Sequence, residues 1–141
     1  MWRWTLGVHG GLKGPTSLRL VSSYPFDSPG GDSWRVAADN ISSRTKSGTG
    51  YAICTDDIAV TYASSGSVPI NAGSQGNASP DCPPQTPNAI GGGPVSFGLV
   101  GDLRLVRTLP DTLSFGEWVG TVDTHESAGS FTVWASCAPD L

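Results

Sequence analysis

At 141 residues, with 14% charged side chains and a net charge of −4, the chain has room for one domain or two small halves sharing a core. The acidic balance excludes the basic face that a nucleic-acid partner requires, and excludes electrostatic adsorption to anionic lipid. No stretch approaches the ~18 apolar residues of a membrane span, and abundant Gly, Pro, Ser and Thr disfavour long helices while suiting short strands and tight turns.

Along the chain, Met1-Trp2-Arg3-Trp4-Thr5-Leu6-Gly7 lacks the apolar stretch of a signal peptide. Trp2 and Trp4 lie at period two on one face of an expected terminal strand. They are the candidate ligand-binding residues, able to stack on sugar rings or on a partner chain, though burial in this or a neighbouring subunit's core is the leading reading. Leu18-Arg19-Leu20-Val21 alternates as a half-buried strand does. Pro25 and the segment Phe26–Asp32 form a turn, Trp34–Ala38 the next strand, and Asp39-Asn40 the start of a polar turn. Thr49–Cys54 is a strand, Ile58–Ala63 and Ser67–Asn71 add two more, and Gly73–Pro87 reads as an ordered loop broken by prolines. Leu103–Val106, Trp118–Val122 and Phe131–Cys137 complete the strands, with a polar turn opening at Asp123-Thr124.

The later segments repeat the earlier ones. Leu18-Arg19-Leu20-Val21 matches Leu103-Arg104-Leu105-Val106, and each run is followed four residues on by a proline, Pro25 and Pro110. Trp34 matches Trp118, Asp39 matches Asp123, and Tyr51-Ala52-Ile53-Cys54 matches Trp134-Ala135-Ser136-Cys137. The offset drifts only from 85 (18 to 103) to 83 (54 to 137), so two one-residue gaps align the series. This order points to two diverged copies of one β unit. Leu6-Gly7-Val8-His9-Gly10-Gly11 aligns with the Ile90-Gly91-Gly92-Gly93 element, which places the counterpart of Cys82 just before Met1. The expectation is that the first copy has lost its cysteine, and that the chain is cut from a longer polypeptide or starts at a misassigned codon.

Cys82-Pro83 with Thr86, Ile90-Gly91-Gly92-Gly93, the Leu-x-Leu run, the Trp strand and Tyr51-Ala52-Ile53-Cys54 together resemble a β-rich module of uncharacterised secreted bacterial proteins. That module has the pattern Cys-Pro-x-Gly-Thr, Gly-Gly-Gly, Trp-x-Val, Tyr-Ala-x-Cys, sometimes in tandem. The likeness covers Leu6–Asp57 and Cys82–Asp140, with Pro84-Gln85 where Ala-Gly is usual. It implies a disulfide within each full unit, joining the Cys-Pro cysteine to the Ala-x-Cys one: Cys82 to Cys137, leaving Cys54 over. It implies no enzymatic activity. A reactive role for Cys54 lacks a basic neighbour to lower its pKa, and no Cys-x-x-Cys is present for zinc.

Catalytic constellations are weaker still. His9 and His125 read as loop histidines, and no Gly-x-Ser-x-Gly elbow accompanies them. His125 with Asp123 and Glu126 is at most a weak divalent-ion site, so no metal is expected. Asp39, Asp56, Asp57 and Asp123 read as turn formers rather than a glycosidase pair. Gly91-Gly92-Gly93 lacks the Lys-Ser/Thr of a phosphate loop and reads as a close-packed turn or bulge, so no cofactor is expected. Trp34 and Trp118 are expected in the core, Tyr51 and Trp134 half-buried.

The expectation is an all-β fold of two pseudo-symmetric repeat units forming a β-sandwich or β-prism-like assembly. Residues 1–57 form the first repeat, N-terminally truncated, 58–81 the connecting strands and loop, and 82–141 the second repeat. Three cysteines and a single Met suit an extracellular, secreted setting. The leading reading is a non-catalytic structural or binding module of a surface assembly, with self-association or a glycan as its partner and no nucleic acid or membrane insertion. The alternatives are a carbohydrate-binding, lectin-like domain and a small secreted hydrolase.

Overall fold

A computed structural model describes residues 6–27, 32–55, 58–97, 102–111, 113–114 and 116–140, excluding the side chains of 6–9 and 97. The described residues form strands and turns without a helix, so no helix is long and apolar enough to cross a membrane. The strands are β1 (Leu6–Lys13), β2 (Leu18–Phe26), β3 (Ser33–Asn40), β4 (Thr49–Thr55), β5 (Thr61–Ser64) and β6 (Val68–Ile70). They continue as β7 (Gln75–Ala78), β8 (Asn88–Phe97), β9 (Leu103–Pro110), β10 (Trp118–Thr124) and β11 (Gly129–Ala138).

Among the described residues pairing is antiparallel, in four open sheets: β1 with β4, β2 with β3, β7–β10–β9, and β11 with β5, β6 and β8. In the hairpins β2–β3 and β9–β10, Pro25 faces Trp34 and Pro110 faces Trp118. Both hairpins slip by one residue at a valine, Val21 in one and Val106 in the other. The long-range pairs behave alike: Gly10 faces Ala52 and Gly92 faces Ala135, with a one-residue slip at Val8 and at Ile90. Such slips bend a strand and increase its twist.

Two aromatic anchors tie each hairpin to its long-range pair. Trp34 donates its indole N–H to Ser23 Oγ over 2.9 Å, and the Ser23 hydroxyl points on to the Gly10 carbonyl at 3.4 Å. Trp118 donates to Thr108 Oγ1 over 2.6 Å, and Thr108 donates to the Gly92 carbonyl over 3.0 Å. Gly10 and Gly92 are necessary at these points, because an added Cβ would run into the Trp34 and Trp118 rings. The Gly91–Gly93 run is thus strand, not turn, and it is backbone proximity that calls for glycine.

The apolar core lies on the C-terminal side. Ile70, Leu103, Trp118, Val122, Phe131, Val133, Ala135 and Cys137 form one buried cluster. Strands β5 and β6 line one edge of β11 while β8 takes the other, and β7 extends the β9–β10 hairpin. Among the described residues, no further strand pairs with β4 or with the β2–β3 hairpin. Trp34 is therefore only half-buried while Trp118 is 6% exposed, and Tyr51 is 52% exposed rather than half-buried. Expected equivalence of position is not equivalence of burial, since burial depends on the strands packed around a residue.

Three local expectations are also corrected. Asp39 and Asp123 are strand residues facing Arg19 and Arg104, and the turn work falls to Asn40, whose Oδ1 accepts from Ser42 N at 3.0 Å. The segment read as a loop, Gly73–Pro87, contains β7, a polar edge strand without apolar alternation to betray it. Strand structure expected over Ile58–Ala63 begins only at Thr61.

Candidate ligand cleft

The N-terminal and C-terminal halves meet where β2 crosses β8. Gly93 approaches so closely that an added Cβ would overlap the Ser23 carbonyl. Ser96 N donates to Ser22 Oγ over 3.2 Å, and Ser96 Oγ donates to the Val21 carbonyl over 3.3 Å. Beside this seam opens a cleft of 300 Å³, whose walls are Tyr24, Phe26 and Arg35 from the β2–β3 hairpin and Tyr62, Val95 and Trp134 from β5, β8 and β11. A wider recess of 570 Å³ shares Tyr24 and Arg35 and runs over Trp34 and Ser96.

Register explains why these side chains converge. In β11, Trp134 faces Ser64 of β5 and Gly93 of β8. Arg35 lies in β3 opposite Tyr24, and its guanidinium carbon sits 3.2 Å from the centroid of the Phe26 ring, a cation–π contact that fixes both groups. Asp27 borders the cleft at the end of β2.

On its polar side Asp27 and Tyr62 line the cleft, and both are tied to a neighbouring carboxylate, Asp32. Tyr62 donates its O–H to the Asp32 carboxylate, and the Asp27 side chain is hydrogen-bonded to Asp32 in turn. Burial raises the Asp32 carboxyl above its ordinary range, the Tyr62 hydrogen bond opposes that rise, and Asp27 adds to it. Burial is also the largest cause holding the Tyr62 phenol well above its ordinary range, followed by the charges of Asp32 and Asp27. The result is a small concavity with aromatic walls, carboxylate acceptors and a guanidinium donor, the composition of a ligand site.

Of the residues singled out from sequence, Trp134 lines the cleft, while Cys82, Cys137, Asp123 and His125 do not. Trp2, Trp4, Asp56 and Asp57 fall outside the described residues, and so does the His9 side chain. Cys82 and Cys137 form a disulfide with Cα atoms 5.7 Å apart, and Cys54 is free and exposed. His125 is exposed, its Nε2 3.9 Å from Glu126 Oε1, while Asp123 pairs with Arg104 Nε at 3.6 Å instead of with the histidine. Among the described residues no group of three or more His, Cys, Asp or Glu is placed to hold a metal ion. The cleft residues were missed because Phe26–Asp32 reads as turn and Tyr62 as ordinary strand. The available signal was an aromatic and two acids flanking one Pro-Gly-Gly tip.

Comparison with family models, with curated proteins and with solved structures finds no match for this chain.

Proposed function

We propose that this chain is a non-catalytic, extracellular binding module, built from two copies of one β unit packed in a sandwich-like pair, and that its cleft takes a sugar ring. The aromatic cleft carries the reading. The rings of Tyr24, Phe26 and Trp134 supply apolar faces for the C–H surface of a pyranose, while Asp27 and Arg35 supply an acceptor and a donor for its hydroxyls. The paired one-residue slips at Val21 and Val106 and at Val8 and Ile90 support the duplication, as do the two tryptophan–hydroxyl–glycine relays. The Cys82–Cys137 disulfide supports an oxidising compartment.

A glycan array probed with the intact chain tests this, with Trp134→Ala and Asp27→Asn as controls. Selective binding that both substitutions weaken at least tenfold supports the reading. An array without hits, or hits that neither substitution changes, removes the sugar. Release of reducing ends from a bound glycan moves the assignment to a secreted hydrolase.

A further inference from the structure

We propose that the cleft selects a cationic amino sugar, its ammonium group held at Asp27 and its ring set against the aromatic walls. This deepens the sugar reading of the same cleft and rests on it.

The inference starts from a charge that the cleft does not balance. Asp27 lines it, with its side chain hydrogen-bonded to that of Asp32. Among the described residues neither acid is in an ion pair; the pairs found there join Arg104 to Asp123 and His125 to Glu126. Arg35 lines the cleft as well, but its guanidinium carbon sits 3.2 Å from the centroid of the Phe26 ring. Two neighbouring carboxylates without a counter-ion repel each other, and Asp27 accordingly adds to the rise that burial gives Asp32. A cation bound beside them opposes both effects.

The walls suit a cation too. Tyr24, Tyr62 and Trp134 line the cleft beside Phe26, and the face of an aromatic ring attracts positive charge. Arg35 over Phe26 shows that attraction within the chain itself. Aromatic rings also cover the C–H face of a pyranose, so a sugar bearing an ammonium group uses the rings and the carboxylate together. A uronic acid does not, because its carboxylate would stand against Asp27. Charge also sets the orientation. The adjoining recess of 570 Å³ shares Tyr24, Arg35 and Val95 with the cleft and adds Ser22 and Ser96, with no acid among the described residues that line it. The ammonium group therefore lies at the Asp27 end, and further rings of a chain run past Arg35 into the recess.

Calorimetric titration of the full chain with β-1,4-linked trimers of glucosamine, N-acetylglucosamine and glucose tests the proposal. The three share a backbone and differ in the group at C2. At roughly pH 6, below the range of an α-amine, the glucosamine trimer is cationic. It should bind at least tenfold tighter than either neutral trimer, and high salt should shrink that difference. Asp27 is exposed, so its substitution leaves the fold in place. Asp27→Asn should remove the preference for the cationic trimer, and Asp27→Glu should keep most of it. Equal binding of the three trimers overturns the proposal and leaves the sugar reading standing. A preference that survives Asp27→Asn does the same, as does tighter binding of a glucuronic acid oligomer. Choline bound as tightly as the glucosamine trimer overturns it by making the ammonium group sufficient without a sugar. If no trimer binds, the proposal falls, and the glycan array decides the sugar reading on its own.

Discussion

The indole of Trp118 and the hydroxyl of Thr108 are 2.6 Å apart across the β9–β10 hairpin, and Thr108 passes the contact on to the Gly92 carbonyl of β8. Trp34 and Ser23 make the same connection to Gly10 at 2.9 Å, but with the ring half-buried. The hydrogen-bond geometry is shared and the burial is not, which separates the two contributions. Trp118→Ala should destabilise by about 3–5 kcal/mol, as removal of a core aromatic does. Trp34→Ala should cost about 1–2 kcal/mol, in proportion to the area it keeps from water. Urea unfolding monitored by circular dichroism compares them. Equal losses would mean that the N-terminal half has a core as dense as the other.

The strands at Leu18–Val21 and Leu103–Val106 were legible because period-two alternation is local. So was the place of Trp34 and Trp118 in strands. Exposure of Tyr51 and Ile53 was not legible, because Tyr51-Ala52-Ile53-Cys54 reads as apolar as the buried strand it matches. What differs is the presence of β5 and β6 against β11, a long-range pairing that no window along β4 contains. The cleft was hidden for a related reason. Tyr24, Tyr62 and Trp134 are far apart in sequence, and they meet only because Gly93 lets β2 lie against β8.

That crossing predicts a sharp sensitivity. An alanine Cβ at Gly92 would lie 2.6 Å from Trp118 Cδ1, and one at Gly93 would enter the Ser23 carbonyl. The obstacles are backbone and a core ring, neither of which swings aside. Gly92→Ala and Gly93→Ala should each cost about 1–3 kcal/mol or more from overpacking. Gly66→Ala is the comparison, since nothing lies within 4 Å of that Cβ and only its φ of +68° opposes the change. Thermal melts rank the three; a Gly93→Ala protein as stable as the parent would mean that the two halves do not touch there.

The Cys82–Cys137 bridge closes a loop of 55 residues around the C-terminal core. In the chain-entropy model such a crosslink is worth about 4 kcal/mol. Paired replacement of both cysteines by serine should lower the urea-derived stability by about that amount, whereas Cys54→Ser should change it by less than about 0.5 kcal/mol at its exposed site. Thiol labelling of the native, unreduced chain should place one adduct, on Cys54. Labelling of Cys137 without reductant would contradict the bridge.

Asp102 fastens the turn before β11: its carboxylate accepts from Glu126 N at 3.0 Å and from Ser127 N at 2.5 Å. The Glu126 backbone hydrogen bond is the largest cause holding this carboxyl below its ordinary range. A lowered folded-state value means that the contribution is present above the unfolded carboxylate value of about 3.9 and is lost as pH falls through the folded one. The intact chain should therefore melt above Asp102→Asn at roughly pH 6, and the two curves should draw together as pH falls below the unfolded carboxylate value of about 3.9. Parallel curves down to acid would show that the clasp does not depend on the charge.

Tyr62 gives the opposite sign. Its phenol is half-buried beside Asp32 and donates to that carboxylate, and both partial burial and the neighbouring charges oppose its ionisation. A folded-state value above the unfolded one, about 10, means that the stabilisation is complete below that pH and is lost as pH rises beyond it. The chain has three tyrosines, so near-ultraviolet difference absorbance resolves how many ionise before unfolding. Tyr62 should ionise only with the alkaline unfolding transition, and Tyr62→Phe should remove that late step. The substitution should also flatten the fall in melting temperature above about pH 10, because no phenol then favours the unfolded state. If the late step persists in Tyr62→Phe, the hydroxyl is not held against Asp32. The acidic wall of the cleft would then lack the phenol that caps it.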